Sequence, residues 1–299
     1  MTALPVLLLQ DALCLEHHAG VQHPESPERL RLALQQLLTD LPDGVQLAAP
    51  RDATDTELAR AHGADYLAQL AATAGKPRTV LDADTATSAH SWAAARRACG
   101  ALLTGLDACL DGEARGAFAL VRPPGHHAER DAAMGFCLVN HVAVAAEHAR
   151  ARGCQRVLIV DPDVHHGNGT QHSFEARDDV LFISSHRWPF YPGTGAPGEV
   201  GVGRGAGSTL NLPLQAGMGD AELLALWQQL AAPVVAEFAP DCVLVSAGFD
   251  AWQHDPLGGL RVTERAVSRR SSRSSVPGPT RTAPASSLPC SKAVTTQRV

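Results

Sequence analysis

Two aspartates and three histidines lie within thirteen residues of the chain, in the segment VDPDVHHGNGTQH (160–172). Asp163 and His165 are two positions apart, so in an extended segment their side chains point to the same side. Asp250 follows another apolar run, CVLVSAG (242–248). One imidazole and two carboxylates can hold Zn²⁺ and leave a fourth position open, which is typical of a catalytic zinc site. The three residues therefore predict such a site, the alternative being ordinary turn or helix-capping aspartates.

A pair of adjacent histidines could supply the proton transfers that a zinc site needs. His126 and His127 follow a rigid Pro-Pro-Gly turn in the segment RPPGHH (122–127). Beside a metal, one could act as general base towards the bound water and the other as an acid or electrostatic partner. Each imidazole needs an acceptor that orients it, and Asp161 and Asn168 are the candidates. The alternative is a pair of loop histidines or an adventitious metal site.

Two further features of the sequence are less specific. Phe136 and Tyr191 are candidates for pocket walls, although an isolated aromatic residue is as often part of the core. The segment GVGRGAG (201–207) contains the GxGxxA pattern of a dinucleotide-binding loop, but a helix would have to follow it. The residues that do follow, STLNLPL (208–214), are typical of a strand, so a flexible connection is favoured.

The elements that must position these residues are short apolar runs, which alternate with longer helical patterns. The runs are apolar almost throughout, as expected for strands covered on both faces. Strands that alternate with helices predict a doubly wound parallel sheet. Such sheets bind ligands beyond the carboxyl ends of their strands, and the unusual polar residues all follow strand ends. The predicted strands are 5–10, 116–122, 156–161, 180–185 and 242–248.

The composition is that of an ordinary globular protein with an uneven charge distribution. The chain has 299 residues, 45% of them hydrophobic, and a formal net charge of −6. Six arginines, one lysine and no acidic residue follow residue 264, so the preceding part carries −13. An acidic body weakly favours cationic ligands and discourages nucleic-acid binding. Seven cysteines without CxxC spacing, and no signal peptide or membrane span at the start, predict a cytoplasmic protein with reduced thiols.

Six segments together resemble the histone deacetylase and acetylpolyamine amidohydrolase family, and they occur in the family's order. They are EHHAGVQHPESPERL (16–30), RPPGHHA (122–128), GFCLVN (135–140), VDPDVHHGNGTQ (160–171), SSHRWPFYPGTG (184–195) and SAGFDA (246–251). Asn168, where some members carry aspartate, resembles the class II and bacterial branches. The resemblance implies an arginase-like, three-layer α/β/α fold with a mainly parallel sheet, and zinc-dependent removal of an acetyl group from an amine.

The resemblance also implies roles for individual residues. The zinc ligands would be Asp163, His165 and Asp250. The paired histidines and their hydrogen-bond partners would be His126 with Asp161 and His127 with Asn168. The acyl-lysine channel would have two aromatic walls and a carbonyl that accepts the substrate amide N–H, at Phe136, Tyr191 and Gly135. A potassium ion near the zinc would be bound, in part through backbone oxygens, by Asp161, Asp163, His165, Ser184 and Ser185. His166 and His172 are expected to be structural.

The family pattern breaks after residue 264. We expect residues 1–264 to form a deacetylase-like catalytic domain, incomplete at its C-terminal end, and residues 265–299 to be a disordered basic tail rich in Ser, Pro and Arg. The family continues with a Gly-Gly-Tyr motif, whose tyrosine donates a hydrogen bond to the developing oxyanion. Neither of the two tyrosines, Tyr66 and Tyr191, matches it. A frameshifted or truncated product would explain the change, and a natural basic tail is the alternative.

Two functions from different classes follow from these observations. The first is zinc-dependent hydrolysis of the acetyl amide of acetyl-lysine or an acetylpolyamine. The second is a catalytically impaired metal-binding fragment or interaction protein that lacks the oxyanion-stabilising tyrosine. A two-manganese ureohydrolase on the same fold would need more carboxylate ligands than Asp163, His165 and Asp250, so it is disfavoured. No nucleic-acid or membrane partner is expected, and the sequence does not determine the oligomeric state.

Overall fold

The computed structural model describes residues 3–21, 23–266 and 292–298. The strands among these residues are β1 (Val6–Leu9), β2 (Val45–Ala48), β3 (Thr79–Val80), β4 (Ala86–Thr87), β5 (Gly116–Leu120), β6 (Val157–Asp161), β7 (Val180–Arg187), β8 (Thr209–Leu214), β9 (Cys242–Gly248) and β10 (Lys292–Arg298). Eight of them form a large sheet in which all neighbouring strands are parallel, in the order β2-β1-β5-β10-β9-β6-β7-β8. The short strands β3 and β4 pair with each other in the antiparallel sense.

Helices connect most of the strands of the large sheet. They are α1 (Pro27–Thr39), α2 (Asp55–Leu58), α3 (Ala64–Ala71), α4 (Ser91–Leu110), α5 (His141–Ala151), α6 (Asn168–Phe174), α7 (Asp220–Leu226) and α8 (Ala232–Phe238). A π-helical turn, Trp227–Ala231, joins α7 to α8 directly before Pro233, whose ring and missing N–H disturb regular helical hydrogen bonding. No helix among the described residues is both long and apolar enough to cross a membrane.

The helices cover the sheet on both faces. On one face, α4 and α5 pack on the central strands in the largest apolar cluster, which includes Leu102 and Phe182. On the other face, Ile183 and Leu212 of the strands pack with the π turn and α8. Burial on both faces explains why the central strands are continuous apolar runs, since β6 and β7 are buried along nearly their whole length. The predicted three-layer α/β/α fold with a mainly parallel sheet is thereby confirmed.

The predicted strands agree with the structure to within two residues at each end, but one of the helical patterns in the sequence does not correspond to a single helix. Residues 56–72 show a continuous helical pattern, yet the structure has two helices, α2 and α3, with a break between them. Gly63 lies at that break, where its N–H donates to the carbonyl of Arg130 at 3.0 Å. The carboxylate of Asp131 lies beside Gly63 in the space that a Cβ would occupy, so the break packs against a distant loop that a local pattern cannot register.

The expected disordered tail, 265–299, falls mainly on residues 267–291 and 299, outside the described residues. At residues 292–298 the structure differs from that expectation, because they form β10 between β5 and β9. Without β10, the facing edges of β5 and β9 would have unpaired backbone N–H and C=O groups. The segment KAVTTQR supplies three β-branched residues, which suit a strand.

Candidate metal centre and active site

The polar residues singled out in the sequence gather at the carboxyl ends of the central strands. Asp161 is the last residue of β6, and its register partner in β7 is Ser184. Asp250 lies two residues beyond the end of β9, the neighbour of β6 on its other side. The loop that carries His126 and His127 follows β5. Parallel strands thus bring together side chains that are up to 124 positions apart in the chain.

Asp163, His165 and Asp250 form a cluster that could hold a metal ion. One ligand atom from each residue lies within 4.8 Å of the others. Nδ1 of His165 is 3.1 Å from Oδ1 of Asp163 and 3.0 Å from Oδ2 of Asp250. The backbone holds both carboxylates, because the N–H of His165 donates to Asp163 at 2.8 Å and that of Val164 donates to Asp250 at 2.9 Å. One imidazole and two carboxylates fit Zn²⁺ with an open fourth position.

The electrostatics of this cluster favour a positive charge between the carboxylates. Burial lowers the pKa of His165, but hydrogen bonds and Coulomb attraction to Asp163 and Asp250 outweigh burial and raise the pKa to about 9. The side chains of His165, Asp163 and Asp250 are only 13%, 2% and 11% exposed, so water screens the two carboxylates weakly. A divalent cation with neutral imidazole as a ligand would satisfy the same two negative charges.

The paired histidines have different partners. Nδ1 of His126 lies 2.9 Å from Oδ2 of Asp161, whereas Nδ1 of His127 lies 2.7 Å from Oδ1 of Asn168. The two rings are 4.0 Å apart at their centroids, and all four side chains are buried. Nε2 of His126 is 3.8 Å from Oδ2 of Asp163, so the pair adjoins the metal cluster. One imidazole therefore faces a carboxylate and the other a neutral amide.

The set predicted to bind potassium shares Asp163 and His165 with the metal cluster and adds Asp161, Ser184 and Ser185. Oδ1 of Asp161 accepts the backbone N–H of Asp163 at 3.2 Å, and Oγ of Ser184 lies 2.9 Å from Nδ1 of His186. Oγ of Ser185 is buried and has no hydrogen-bond partner among the described residues. A buried hydroxyl without a hydrogen-bond partner is suited to bind a cation, because a lone pair of its oxygen is available for coordination.

The backbone at Gly135 and Phe136 takes an unusual conformation beside His127. Both residues have positive φ, 56° and 71°, which is rare for a residue with a side chain. The conformation is held from the connection between β3 and β4, since the N–H of Gly135 donates to Oδ1 of Asp84 at 3.2 Å and that of Phe136 to Oγ1 of Thr85 at 2.9 Å. Asp84 and Thr85 were not identified from the sequence, where they stand in an unremarkable polar segment.

Aromatic rings line the approach to the histidines. Tyr191 meets the edge of His127 at 5.2 Å and lies 6.0 Å from His165, between ring centroids. Phe190, which the sequence analysis did not single out, stacks on His165 at 5.2 Å. Phe136 is edge-on to His23 at 4.6 Å. Apolar walls around two polar groups are the usual form of a small-molecule site.

Neither tyrosine presents its hydroxyl to the metal cluster as an oxyanion donor would. The hydroxyl of Tyr66 donates to the carbonyl of Leu138 at 2.7 Å and is buried. Burial raises the pKa of Tyr191, and the nearby carboxylate of Asp84 adds to the rise. The ring of Tyr191 lines the site beside His127 and His165.

The two histidines without a predicted role have distinct surroundings. His166 is buried between Thr194 and Gln171, at 2.8 and 2.9 Å, and burial together with neighbouring His186 lowers its pKa to about 3. His172 is half-exposed, and its Nδ1 lies 2.8 Å from Oε1 of Glu129. Glu129 also accepts a hydrogen bond from Nδ2 of Asn168 at 2.6 Å, a contact that no spacing in the sequence indicates.

Known proteins resemble the chain over most of its length. The family model described as histone deacetylase domain matches residues 23–276. The polyamine deacetylase HDAC10 of Rattus norvegicus is 44% identical over 258 residues, which cover 80% of this chain and 43% of that protein. The histone deacetylase-like amidohydrolase of Pseudomonas aeruginosa is 40% identical over 273 residues, which cover 84% of this chain and 72% of that protein.

A solved structure supports the same relationship. The crystal structure of the HDA15 HD domain has a TM-score of 0.89 and 38% sequence identity, covering 98% of this chain and 85% of that one. The chain nevertheless spans less than half the length of the rat relative.

Proposed function

Because the chain belongs to the histone deacetylase family, we propose that it hydrolyses the acetyl amide of an acetylated amine, releasing acetate and the free amine. The observation that carries the proposal is the cluster of Asp163, His165 and Asp250 beside two buried histidines. Zn²⁺ held by these three residues would polarise the amide carbonyl and lower the pKa of a water molecule to about 7, which a poor electrophile such as an amide requires.

We assign the proton transfers to the two histidines by their partners. The carboxylate of Asp161 favours a positive charge on His126, which suits an electrostatic partner for the reacting groups. The amide of Asn168 is neutral, so it leaves His127 able to accept a proton and return it to the leaving amine. His127 is therefore the proposed general base and acid.

We assign substrate binding to the channel beside His127. Phe136 and Tyr191 would flank an acetylated aliphatic chain, and the carbonyl of Gly135 would accept the substrate amide N–H. The close approach of Gly135 to the ring of His127 supports this placement, because a Cβ on Gly135 would lie 2.6 Å from Cγ of His127. A potassium ion bound by Asp161, Asp163, His165, Ser184 and Ser185 would hold the loop that carries two of the zinc ligands.

Two substrate classes fit this channel, acetyl-lysine in proteins and acetylated polyamines. One relative is named a polyamine deacetylase and another a histone deacetylase-like amidohydrolase, so sequence similarity does not distinguish the two substrate classes. The acidic body of the chain mildly supports cationic substrates of either class. A cytoplasmic location stays a prediction, supported by six free, buried cysteines among the described residues.

A second candidate function is metal binding without turnover. It is favoured by the two tyrosines, neither of which matches the expected oxyanion donor: the hydroxyl of Tyr66 donates to Leu138, and Tyr191 contributes its ring to the channel wall. Loss of one oxyanion donor typically lowers the rate roughly 10²- to 10³-fold. The two candidates share the zinc site and differ only in acetate release.

Acetate release by the purified 299-residue chain tests the proposal, with an acetyl-lysine peptide and acetylated polyamines as substrates and bound zinc measured on the same sample. Asp163→Ala is the control, because it removes one ligand. Turnover that this change abolishes supports the deacetylase. Bound zinc without turnover supports the second candidate, and absence of bound zinc contradicts the assigned metal site.

A further inference from the structure

The amide of Asn168 lies between two groups that require opposite ends of it. Its Oδ1 is 2.7 Å from Nδ1 of His127, and its Nδ2 is 2.6 Å from Oε1 of Glu129. Asn168 is only 2% exposed, so water does not compete for these contacts. The other contacts of Nδ2, to the carbonyl of His127 and Sδ of Met134, are long at 3.5 Å.

The carboxylate decides which way this amide faces. An asparagine side chain can turn by 180° and exchange its oxygen with its nitrogen at little cost in shape. An ionised carboxylate accepts hydrogen bonds but cannot donate one. Glu129 therefore selects the orientation in which Nδ2 faces it and Oδ1 faces His127. An oxygen at that position can only accept, so Nδ1 of His127 has to carry the proton.

We propose that Glu129 is a positioning residue of the reaction, which holds the Asn168 amide in one orientation and thereby keeps the proton of His127 on Nδ1. With the proton on Nδ1, Nε2 is the basic nitrogen of His127. If the amide of Asn168 turned round, its Nδ2 would face Nδ1 of His127. Nδ1 would then have to accept a hydrogen bond, so the proton of His127 would lie on Nε2 instead. His127 could not act as a base in that tautomer. This role rests on the proposed function, because it assumes that His127 takes up a proton.

The positioning group is accessible from a cavity separate from the metal cluster. The Oε1 atom of Glu129 that contacts Asn168 also lies 2.8 Å from Nδ1 of His172. Both residues line a cavity of about 150 Å³, together with Arg60, Arg130, Glu147, Ser173 and Phe174. The hydrogen bond to Glu129 raises the pKa of His172. His172 therefore contacts from the solvent side the same carboxylate oxygen that Asn168 contacts from the buried side.

Three variants separate this role from a merely structural one. Glu129→Ala removes the acceptor, whereas Glu129→Gln keeps an oxygen that can accept from Asn168. Glu147→Ala is the matched control, because Glu147 lines the same cavity but pairs with Arg177. The readouts are kcat and KM for acetate release, and the tautomer of His127 by ¹⁵N NMR of histidine-labelled protein, assigned with His127→Ala.

We expect Glu129→Ala to shift His127 towards the Nε2–H tautomer and to lower kcat roughly 10- to 100-fold, the usual range for the loss of an orienting partner. KM should stay within about 2-fold, because Glu129 does not touch the substrate channel. Glu129→Gln should restore most of the rate, and Glu147→Ala should leave both readouts unchanged. Adding Asn168→Asp to Glu129→Ala should restore the Nδ1–H tautomer, because a carboxylate has no nitrogen to present.

If His127 keeps its proton on Nδ1 in Glu129→Ala, the proposal is wrong, whatever the value of kcat. So would a loss of rate in Glu147→Ala equal to that in Glu129→Ala. If the unaltered chain releases no acetate, the proposed function fails, but the tautomer measurements still decide the role of Glu129. If Glu129→Ala does not fold, Glu129→Leu supplies the same tautomer test, because a leucine fills much of the space of the glutamate, offers no acceptor to Asn168 and leaves the amide free to turn.

Discussion

At the scale of single residues, Gly135 shows how closely the backbone approaches His127, one of the paired histidines. Its φ of 56° lies in the left-handed region, and the space that a Cβ would occupy is filled by the ring of His127. Glycine is needed twice here, once for the conformation and once for the contact. The following residue, Phe136, is also left-handed, so strain is concentrated where the substrate amide would bind.

We predict that Gly135→Ala lowers kcat/KM for acetate release roughly 100-fold, because displacing His127 by about 1 Å is enough for a loss of that size. Bound zinc should be unchanged, since Gly135 does not contact a metal ligand. The matched control is Gly112→Ala. Gly112 has a φ of 78° but nothing within 4 Å of the added Cβ, so it carries the backbone strain alone. Equal losses of activity in both variants would contradict the prediction.

At the scale of elements, a buried charge network joins the loop that carries the histidines to the N-terminal region. Arg122, which follows β5, donates to both carboxylate oxygens of Glu25 and to the carbonyls of Cys14 and His17 at 3.0 and 3.1 Å. His17 in turn contacts Ser91, the first residue of α4, at 2.7 Å. Glu25 precedes α1, so one network holds together four segments, one of which leads into the loop of the paired histidines.

We predict a loss of stability in acid that depends on Glu25. Burial raises the pKa of Glu25, but His17 and Arg122 outweigh it and lower the pKa to about 2, against 4.5 ordinarily. The stabilisation is therefore fully present above pH 4.5 and is lost as the pH falls towards 2. Its size is roughly 3 kcal/mol, from about 1.4 kcal/mol per pKa unit.

Urea unfolding between pH 5 and pH 2 measures this contribution. Glu25→Gln should be less stable at pH 5 and should have a flatter dependence on pH across that window. Glu28→Gln is the control, because Glu28 is 57% exposed and should leave the slope unchanged. If Glu25→Gln keeps the slope of the unaltered chain, the stabilisation comes from other carboxylates.

At the scale of the whole molecule, the sheet is completed by the last strand of the chain. β10 pairs with β5 along five residues and with β9 along seven, and without it two strand edges would face a gap in the middle of the sheet. The strands on either side lead to the His126–His127 loop and to Asp250. The distance between the paired histidines and the metal cluster therefore depends on a segment from the far end of the chain.

We predict that Thr295→Pro destabilises the protein by on the order of 2 kcal/mol and lowers zinc retention. Thr295 pairs with Phe118 of β5 and Val245 of β9, and proline at this position removes one N–H from the ladder. Thr295→Ala keeps the N–H and is the control. The midpoint of urea unfolding and the zinc content after dialysis are the measurements. Identical values for the two variants would mean that β10 does not support the sheet.

The sequence by itself determined the local features of this protein and the family to which it belongs. Apolar runs marked five of the central strands, because a strand buried on both faces must be apolar along its length. Asp163, His165 and Asp250 could be named together, because parallel strands deliver the residues at their carboxyl ends to one edge. The family resemblance in six short segments is confirmed by relatives that match most of the chain.

Only the tertiary structure decided which distant groups meet. Glu129 stands in a polar loop with no distinctive spacing, and only the packing of that loop on α6 places it against Asn168. Asp84 reaches Gly135 across 51 positions, and β10 enters the sheet where composition favoured disorder. These contacts depend on strand order and loop packing, which arise from the balance of burial over the whole chain. A window of a few residues does not contain that information.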